Sequence, residues 1–323
     1  MCTAISVKVK DHYFGRNLDY EHEFGEKITI TPRNYCFSFR NGEKLKNHYA
    51  VIGMALPYDN YPLYFDACNE KGLCMAGLNF PENAHYTQTA HNKYNIASFE
   101  FIPWILGNCQ TIIEAKKLIE KINITDEAFN ENLSPTPLHW LLSDKNCSIT
   151  VEQTSKGLQV YENPVGVLTN NPTFDIQLFN LNNFLSVSSE EPENHFSDKL
   201  QLKPYSRGMG GIGIPGDLSS MSRFVRACFT KLNSVFVGTE EEIVNQFFHI
   251  LYSVYQQKGC VKIGNEYEMT QYSSCCNTDK GIYYYTTYNN FCISAVNMFK
   301  ENLDGDMLII YDLVKSNNFR LQN

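Results

Sequence analysis

Position 2 of the chain is a cysteine, preceded only by a methionine. If Met1 is removed, Cys2 carries a thiol and a free α-amine on one residue. An unperturbed α-amine titrates at about 7.7–8, so an appreciable fraction is unprotonated near neutral pH. Such an amine can act as the base for its own side chain, one established way of activating a nucleophile. A small residue at position 2 favours removal of Met1 by an aminopeptidase. The position also suits an ordinary buried thiol in a starting strand. Two further residues bear on the choice, Arg16 and Asp19. A hairpin over residues 2–20 would return both towards the chain start, and Gly15 beside them permits close backbone approach. Aspartate can orient a terminal amine by a charge-assisted hydrogen bond, and arginine can favour a thiolate. The alternative for this pair is an exposed salt bridge worth little. Two asparagine-centred segments, Gly77-Leu78-Asn79-Phe80 and Leu168-Thr169-Asn170-Asn171-Pro172, end expected strands. A side-chain amide or a main-chain N–H there can donate to an oxyanion, although asparagine at strand ends is also common turn chemistry.

The elements that would position these groups are mostly strands. Thr3–Val9 and Tyr13–Tyr20 form the first hairpin. Tyr64–Cys68 and Leu73–Phe80 flank the loop Asn69-Glu70-Lys71-Gly72. His139–Ser143, Ser148–Gln153 and Leu158–Tyr161 read as a meander, followed by Val165–Thr169. Ile282–Tyr288 and Phe291–Met298 meet at Asn289-Asn290, a pair suited to a type I′ turn. Helices are fewer. Thr111-x-x-Glu114 is a capping box, with Ile112, Ala115, Ile119 and Ile122 on one face. Ser219 or Ser220 opens a second helix that buries Phe224, Val225, Cys228, Phe229 and Leu232. Thr239-x-x-Glu242 opens a third, with Ile243, Phe247, Ile250, Leu251 and Val254 inward. Hairpins with amphipathic helices predict a layered α+β fold with antiparallel sheets. Without a repeat, a low-complexity stretch or a linker, residues 1–323 read as one domain.

Composition narrows the function classes. Of the 323 residues 43% are hydrophobic and 19% charged, the balance of an ordered globular protein. Aromatic content is 13%, with 20 Tyr and 21 Phe, which leaves rings available to line a pocket for a flat apolar ligand. A net charge of −8 without a basic run makes nucleic acid an unsuitable partner. The eleven cysteines lack a Cys-x-x-Cys pair and, with no basic and apolar leader before them, read as reduced thiols in a cytoplasm. Phe99–Gly107, the most apolar run, is too short to span a bilayer, so no membrane association is expected. The eight histidines form no i, i+4 ligand pair, and neither a metal nor an organic cofactor is expected. His139 reads as a satisfied core histidine. Gly208-x-Gly210-x-x-Gly213 matches a dinucleotide fingerprint in letters but lacks the strand before it and the helix after it, so it reads as a flexible glycine loop.

Together these residues resemble the choloylglycine hydrolase family, the bile salt hydrolases and penicillin V acylases among the N-terminal nucleophile (Ntn) hydrolases. The matching pieces are Met1-Cys2-Thr3, Phe14-Gly15-Arg16-Asn17-Leu18-Asp19, Asn69-Glu70-Lys71-Gly72-Leu73, Ala76-Gly77-Leu78-Asn79-Phe80, Leu168-Thr169-Asn170-Asn171-Pro172, Pro215-Gly216-Asp217 and Ser222-Arg223-Phe224. They run nearly end to end, in family order. The resemblance implies a four-layer αββα sandwich of two antiparallel sheets flanked by helices. It implies Cys2 as nucleophile and, through its freed amine, as base. It places Arg16 and Arg223 beside the thiol and Asp19 on the α-amine, with Asn170 and the Asn79 N–H as an oxyanion hole. Asparagine at position 79 favours bile salts such as taurocholate and glycocholate over penicillin V. The resemblance further implies a steroid trough at Leu18, Tyr58, Phe65, Phe129 and Leu133. It brings Arg207 to the taurine or glycine end of the substrate and suggests a homotetramer. Penicillin V or N-acyl-homoserine lactone acylase is the alternative with the same mechanism, and a non-catalytic bile-acid-binding protein is the alternative of another class.

Overall fold

The computed structural model describes residues 1–316 and 319–323. Two antiparallel sheets carry most of it. The first runs, in spatial order, Val167–Leu168, Cys2–Lys8, His12–Tyr20, Glu266–Asn277, Ile282–Thr287 and Asn290–Asn297, with Val261–Ile263 paired to the near end of Glu266–Asn277. The second runs Gly157–Glu162, Ser148–Thr154, Leu138–Ser143, Cys74–Asn79, Tyr61–Asn69, Val51–Tyr58, Lys27–Thr31 and Ile309–Tyr311. Strand Cys74–Asn79 of the second sheet packs against Cys2–Lys8 and His12–Tyr20 of the first. Helices Ser220–Asn233 and Glu240–Tyr252 cover the outer face of the first sheet, and Phe101–Asn108 covers the second. This is the αββα sandwich.

Alternation within strands sorts side chains into two cores. Ile52, Met54, Cys74, Ala76 and Leu78 face the first sheet and share a core with Ala4, Phe14, Phe247 and Leu251. Their neighbours Val51, Met75, Trp140 and Leu142 point the other way, onto Phe101, Ile105 and Ile112. That is the period-2 consequence of strand geometry. The first sheet's inner strand His12–Tyr20 is buried on both faces over eight of its nine residues, so its polar residues all need partners. Asn17, for example, donates to the Leu251 carbonyl and accepts from Ser273 Oγ.

Local helix signals in the sequence match the caps observed. Thr111 accepts from the Glu114 N–H, and Thr239 with Glu242 makes both halves of a capping box. Helix Phe101–Asn108 has no sequence counterpart, because residues 101–107 are all buried and an apolar helix shows no face. Ile122 lies outside the expected helix. That helix is Ile112–Ile119, and Ile122 begins strand Ile122–Thr125. Leu232 is 61% exposed rather than buried, since it sits in the last turn of Ser220–Asn233 beyond the sheet. The turn expected at Asn289-Asn290 lies one residue earlier. Thr287 pairs with Asn290 and a bulge follows between Tyr285 and Thr287, so the extra residue absorbs the twist. A hairpin with both loop residues left-handed occurs instead at Asp59 (φ 48°) and Asn60 (φ 58°), between Val51–Tyr58 and Tyr61–Asn69.

Two irregularities in the ladders prepare the site. Met54 pairs with Asp66 and Ala55 with Tyr64, leaving Phe65 as a bulged residue. A bulge bends its strand, and the pairing of Tyr61–Asn69 with Cys74–Asn79 ends at Asp66 and Ala76. Beyond that point the second sheet is split. In the first sheet Asp19 pairs with Thr270 and Leu18 with Tyr272, so Gln271 is bulged.

Gly15 shows how tightly the first sheet is drawn together. A Cβ there would lie 1.9 Å from the Ser274 carbonyl oxygen. Gly15→Ala should therefore lower stability by at least about 1–3 kcal/mol, read as a fall in the denaturant midpoint. An unchanged midpoint would mean that the strands are not held at this spacing.

Candidate active site

The split in the second sheet is closed by a side chain from the first. Arg16 Nη1 donates to the Phe65 carbonyl at 3.0 Å and to the Gly77 carbonyl at 2.5 Å, one on each side of the gap. Arg16 is fully buried, and its Nη2 has no partner. Burial opposes its charge, but Cys2, Tyr272, Asp66 and Asp19 together outweigh that and hold its pKa above the ordinary value. Asp66 is itself buried and receives the hydroxyls of Tyr272, Tyr283 and Ser274.

A second buried guanidinium organises the chain start. Arg223 Nη1 donates to the Cys2 carbonyl and to Thr3 Oγ1, and Nη2 donates to Asn170 Oδ1 at 2.7 Å. The same Asn170 oxygen accepts the Cys2 N–H at 2.8 Å. Asn170 is fixed in turn by its N–H to Ser220 Oγ and by Gln177, which donates to its carbonyl. One hydrogen of its amide goes to the Asn79 carbonyl at 2.7 Å, which leaves the other for an oxyanion. The Asn79 N–H is also placed for that use. Phe80 N–H bonds the Pro137 carbonyl, so Asn79, opposite Leu138, falls in the non-hydrogen-bonded position of the antiparallel ladder. Its N–H therefore faces the side where the neighbouring strand has parted.

Asp19 is buried, with Oδ1 accepting the Thr270 hydroxyl at 2.6 Å and Oδ2 unpartnered. Burial raises its pKa, against the pull of Arg223, the amino terminus, Thr270 and Arg16. Met1 is present, and its ammonium donates to the Asp19 main-chain carbonyl at 2.6 Å and to Glu268 Oε1 at 2.5 Å. Glu268 and Thr270 are site residues that sequence reasoning missed. They alternate with exposed Tyr267 and half-buried Met269 at the start of a strand whose charged residues hide its apolar pattern.

The split opens into a cavity of about 510 Å³ lined by Cys2, Arg16, Asp19 and Asn79 at one end and by apolar side chains along its length. That volume is in the range of small-molecule sites. Four of the expected trough residues, Leu18, Phe65, Phe129 and Leu133, line it. Tyr58 does not, but stands edge-on behind Phe129 with ring centroids 5.8 Å apart. Arg207 is exposed in a loop after which only the short turn Met209–Gly211 forms, and it is not a lining residue. His139 is a core residue, bonded to Glu152 and the Thr169 carbonyl and stacked on Phe80 at 4.1 Å. All eleven cysteines are free. Among the described residues, Glu21, His22 and Glu266 bring donor atoms within 4.8 Å of one another at the surface, with nothing further there that marks a cation site. No helix among the described residues is long and apolar enough to cross a membrane.

Residues 2–311 match the sequence model for linear amide C–N hydrolases of the choloylglycine hydrolase family. The chain belongs to the choloylglycine hydrolase family. It is 56% identical over 314 residues to a bile salt hydrolase/transferase of Lactiplantibacillus plantarum, covering 97% of each chain. A second relative, the bile salt hydrolase/transferase of Clostridium perfringens, is 40% identical with 98% of each chain covered. A crystal structure of a variant of the Clostridium perfringens conjugated bile acid hydrolase superposes with a TM-score of 0.92 over 100% of both chains, at 38% identity. The penicillin V acylase of Agrobacterium tumefaciens shares the fold, with a TM-score of 0.77 at 19% identity over 98% and 95% of the two chains. The choloylglycine hydrolase assignment makes the chain an amide C–N hydrolase with the Ntn fold.

Asn170 touches the Cys2 main chain, Arg223 and the Asn79 carbonyl at once. Asn170→Ala should lower kcat for amide hydrolysis by about 10²–10³, the usual cost of one oxyanion donor, with a much smaller change in KM. A kcat within threefold of the parent enzyme would remove Asn170 from the transition state.

Proposed function

We propose that the chain, once Met1 is removed, hydrolyses the amide bond of glycine- and taurine-conjugated bile salts through Cys2. One observation carries the reading: Cys2, Arg16, Asp19 and Asn79 line one largely apolar cavity. The whole-length likeness to enzymes named bile salt hydrolase supports the choice of acyl group.

On this reading each residue has a task. With Met1 gone, the nitrogen now held by Asn170 Oδ1 is a free amine that takes the thiol proton. The thiolate adds to the substrate carbonyl, and the oxyanion meets the Asn79 N–H and the remaining Asn170 amide hydrogen. Collapse passes the proton to the leaving amine and forms a thioester, which water then cleaves to release the bile acid. Arg16 and Arg223 supply fixed positive charge beside the sulfur and hold the main chain still. Asp19, with its free Oδ2, orients the amine. Leu18, Phe65, Phe129 and Leu133 receive the steroid. By likeness to the family, the working form is a homotetramer, which light scattering on purified protein can check.

Two measurements test the reading. Intact mass should show loss of one methionine, and the processed protein should release taurine from taurocholate and glycine from glycocholate. Cys2→Ser should lose turnover while keeping its thermal midpoint. Rapid cleavage of penicillin V with no amine released from either bile salt would replace the proposal by the acylase reading. Binding of bile acid with no release from any substrate would replace it by a carrier.

A further inference from the structure

Residues 127–133 form part of one wall of the cavity, through Phe129 and Leu133. The segment closes a tight turn on itself, with the Phe129 N–H on the Leu133 carbonyl at 3.1 Å and the Leu133 N–H on the Asn130 carbonyl at 3.2 Å. Anchors to the rest of the chain stand on either side of it. The Asp126 N–H bonds the Thr87 carbonyl, and Tyr86 donates its hydroxyl to the Thr136 carbonyl at 2.8 Å. Between those anchors, among the described residues, one hydrogen bond reaches the segment from outside, given by Arg40 Nη2 to the Phe129 carbonyl. The guanidinium carbon of Arg40 also stands 5.4 Å from the centre of the Phe129 ring and 5.6 Å from that of Phe99, within the range of a cation–π attraction. Phe99 is itself a lining residue, and the two rings meet edge to face at 5.1 Å. Arg40 is held in turn through its main chain. Its N–H bonds Glu100 Oε1 at 2.7 Å, and Glu100, buried beside Phe99, takes the Ala97 N–H on its other oxygen at 3.0 Å. Glu127 Oε1 lies 4.0 Å from Arg40 Nε, an exposed pair that adds little. Arg40 does not line the cavity.

We propose that Arg40 is a positioning residue for the acyl group: it fastens residues 127–133 to the Phe99 side of the cavity and sets where Phe129 and Leu133 meet the substrate, without touching it. The proposal rests on the bile salt reading for the identity of that acyl group. A bulky, rigid acyl group needs walls held at one separation, and a wall left free must be ordered at the moment of binding. Arg40 keeps the segment ordered before the substrate arrives. A guanidinium suits the task, because it donates in its plane while its faces stack on rings, whereas an ammonium is a point charge. The groups that carry the chemistry are held by other contacts. Cys2 is fixed by Asn170 and Arg223, Arg16 by the Phe65 and Gly77 carbonyls, and Asn170 by Asn79, Ser220 and Gln177. Loss of Arg40 therefore acts on binding of the acyl group and leaves the reacting groups in place.

Two measurements on Arg40→Ala test the proposal. KM for taurocholate should rise about tenfold, the scale of one hydrogen bond to a charged group, while kcat stays within about twofold of the parent enzyme. Arg40→Lys should recover part of the loss. The second measurement is digestion of the folded protein by a glutamate-specific endoprotease, with fragments assigned by mass spectrometry. Cleavage after Glu127 and Glu131 should quicken about tenfold in Arg40→Ala, because a segment released from its fastening opens more often, while other glutamates are cut at the parent rate. An unchanged KM, or cleavage after Glu127 and Glu131 no faster than in the parent, would overturn the proposal. A fall in kcat as large as the rise in KM would overturn it too, by tying Arg40 to the reacting groups. If Arg40→Ala does not fold, Arg40→Lys is compared with the parent in both measurements, and equality in either would overturn the proposal. Failure of the bile salt reading is seen separately, as no taurine released by the parent enzyme, and the cleavage rates, which need no substrate, then decide.

Discussion

The site depends on a fault in a sheet and on the charge that spans it. Phe65 is an extra residue in its strand, and past Asp66 and Ala76 the two central strands of the second sheet no longer pair. Two carbonyls, of Phe65 and Gly77, would be left facing a gap, and unpaired buried carbonyls are costly. Arg16 answers both from the facing sheet. One buried cation thus replaces a stretch of ladder, and the space beyond it becomes the cavity. The Asn79 N–H and the Arg16 Nη2 are left over by the same exchange, so the donors lining the polar end follow from how the sheet comes apart.

A buried arginine in that position needs compensation, and the fold supplies it in layers. Asp66 stands behind Arg16 with three hydroxyl donors of its own. Asp19 favours the charge of both Arg16 and Arg223, and each favours the charge of Asp19, although burial still leaves the pKa of Arg223 lowered and that of Asp19 raised. The polar residues of strand His12–Tyr20 therefore form a network in which removal of one member leaves another charge buried and alone. Networks of that kind fix one geometry more firmly than apolar packing does.

The sequence carried the local parts of this arrangement. Cys2, Arg16, Asp19, Asn79 and Asn170 each had an ordinary structural reading as well, and the family resemblance tied them into one site, while capping boxes announce two helices. What remained hidden depends on partners far along the chain. The bulges at Phe65 and Gln271 are properties of strand pairs, and no residue type marks either. Strand Glu266–Asn277 escaped notice because Glu268 and Thr270 occupy its buried positions, inverting the hydrophobic pattern by which strands are recognised. Helix Phe101–Asn108 is apolar on every side, which removes the periodicity that would identify it. The missed elements are thus of two kinds, those buried all round and those whose inward residues serve the site.

Met1 makes clear which contacts belong to the site and which only to the intact chain. The bonds that fix Cys2 come from Asn170 to its nitrogen and from Arg223 to its carbonyl, and neither involves Met1. Excision of Met1, as proposed, would leave Cys2 in place and turn its amide nitrogen into an amine without rebuilding the frame. Three partners are stranded, however: the Asp19 N–H, the Asp19 carbonyl and the Glu268 carboxylate. Each buried group left unpaired costs about 1–3 kcal/mol, and more when charged. Water at the same oxygens offsets it.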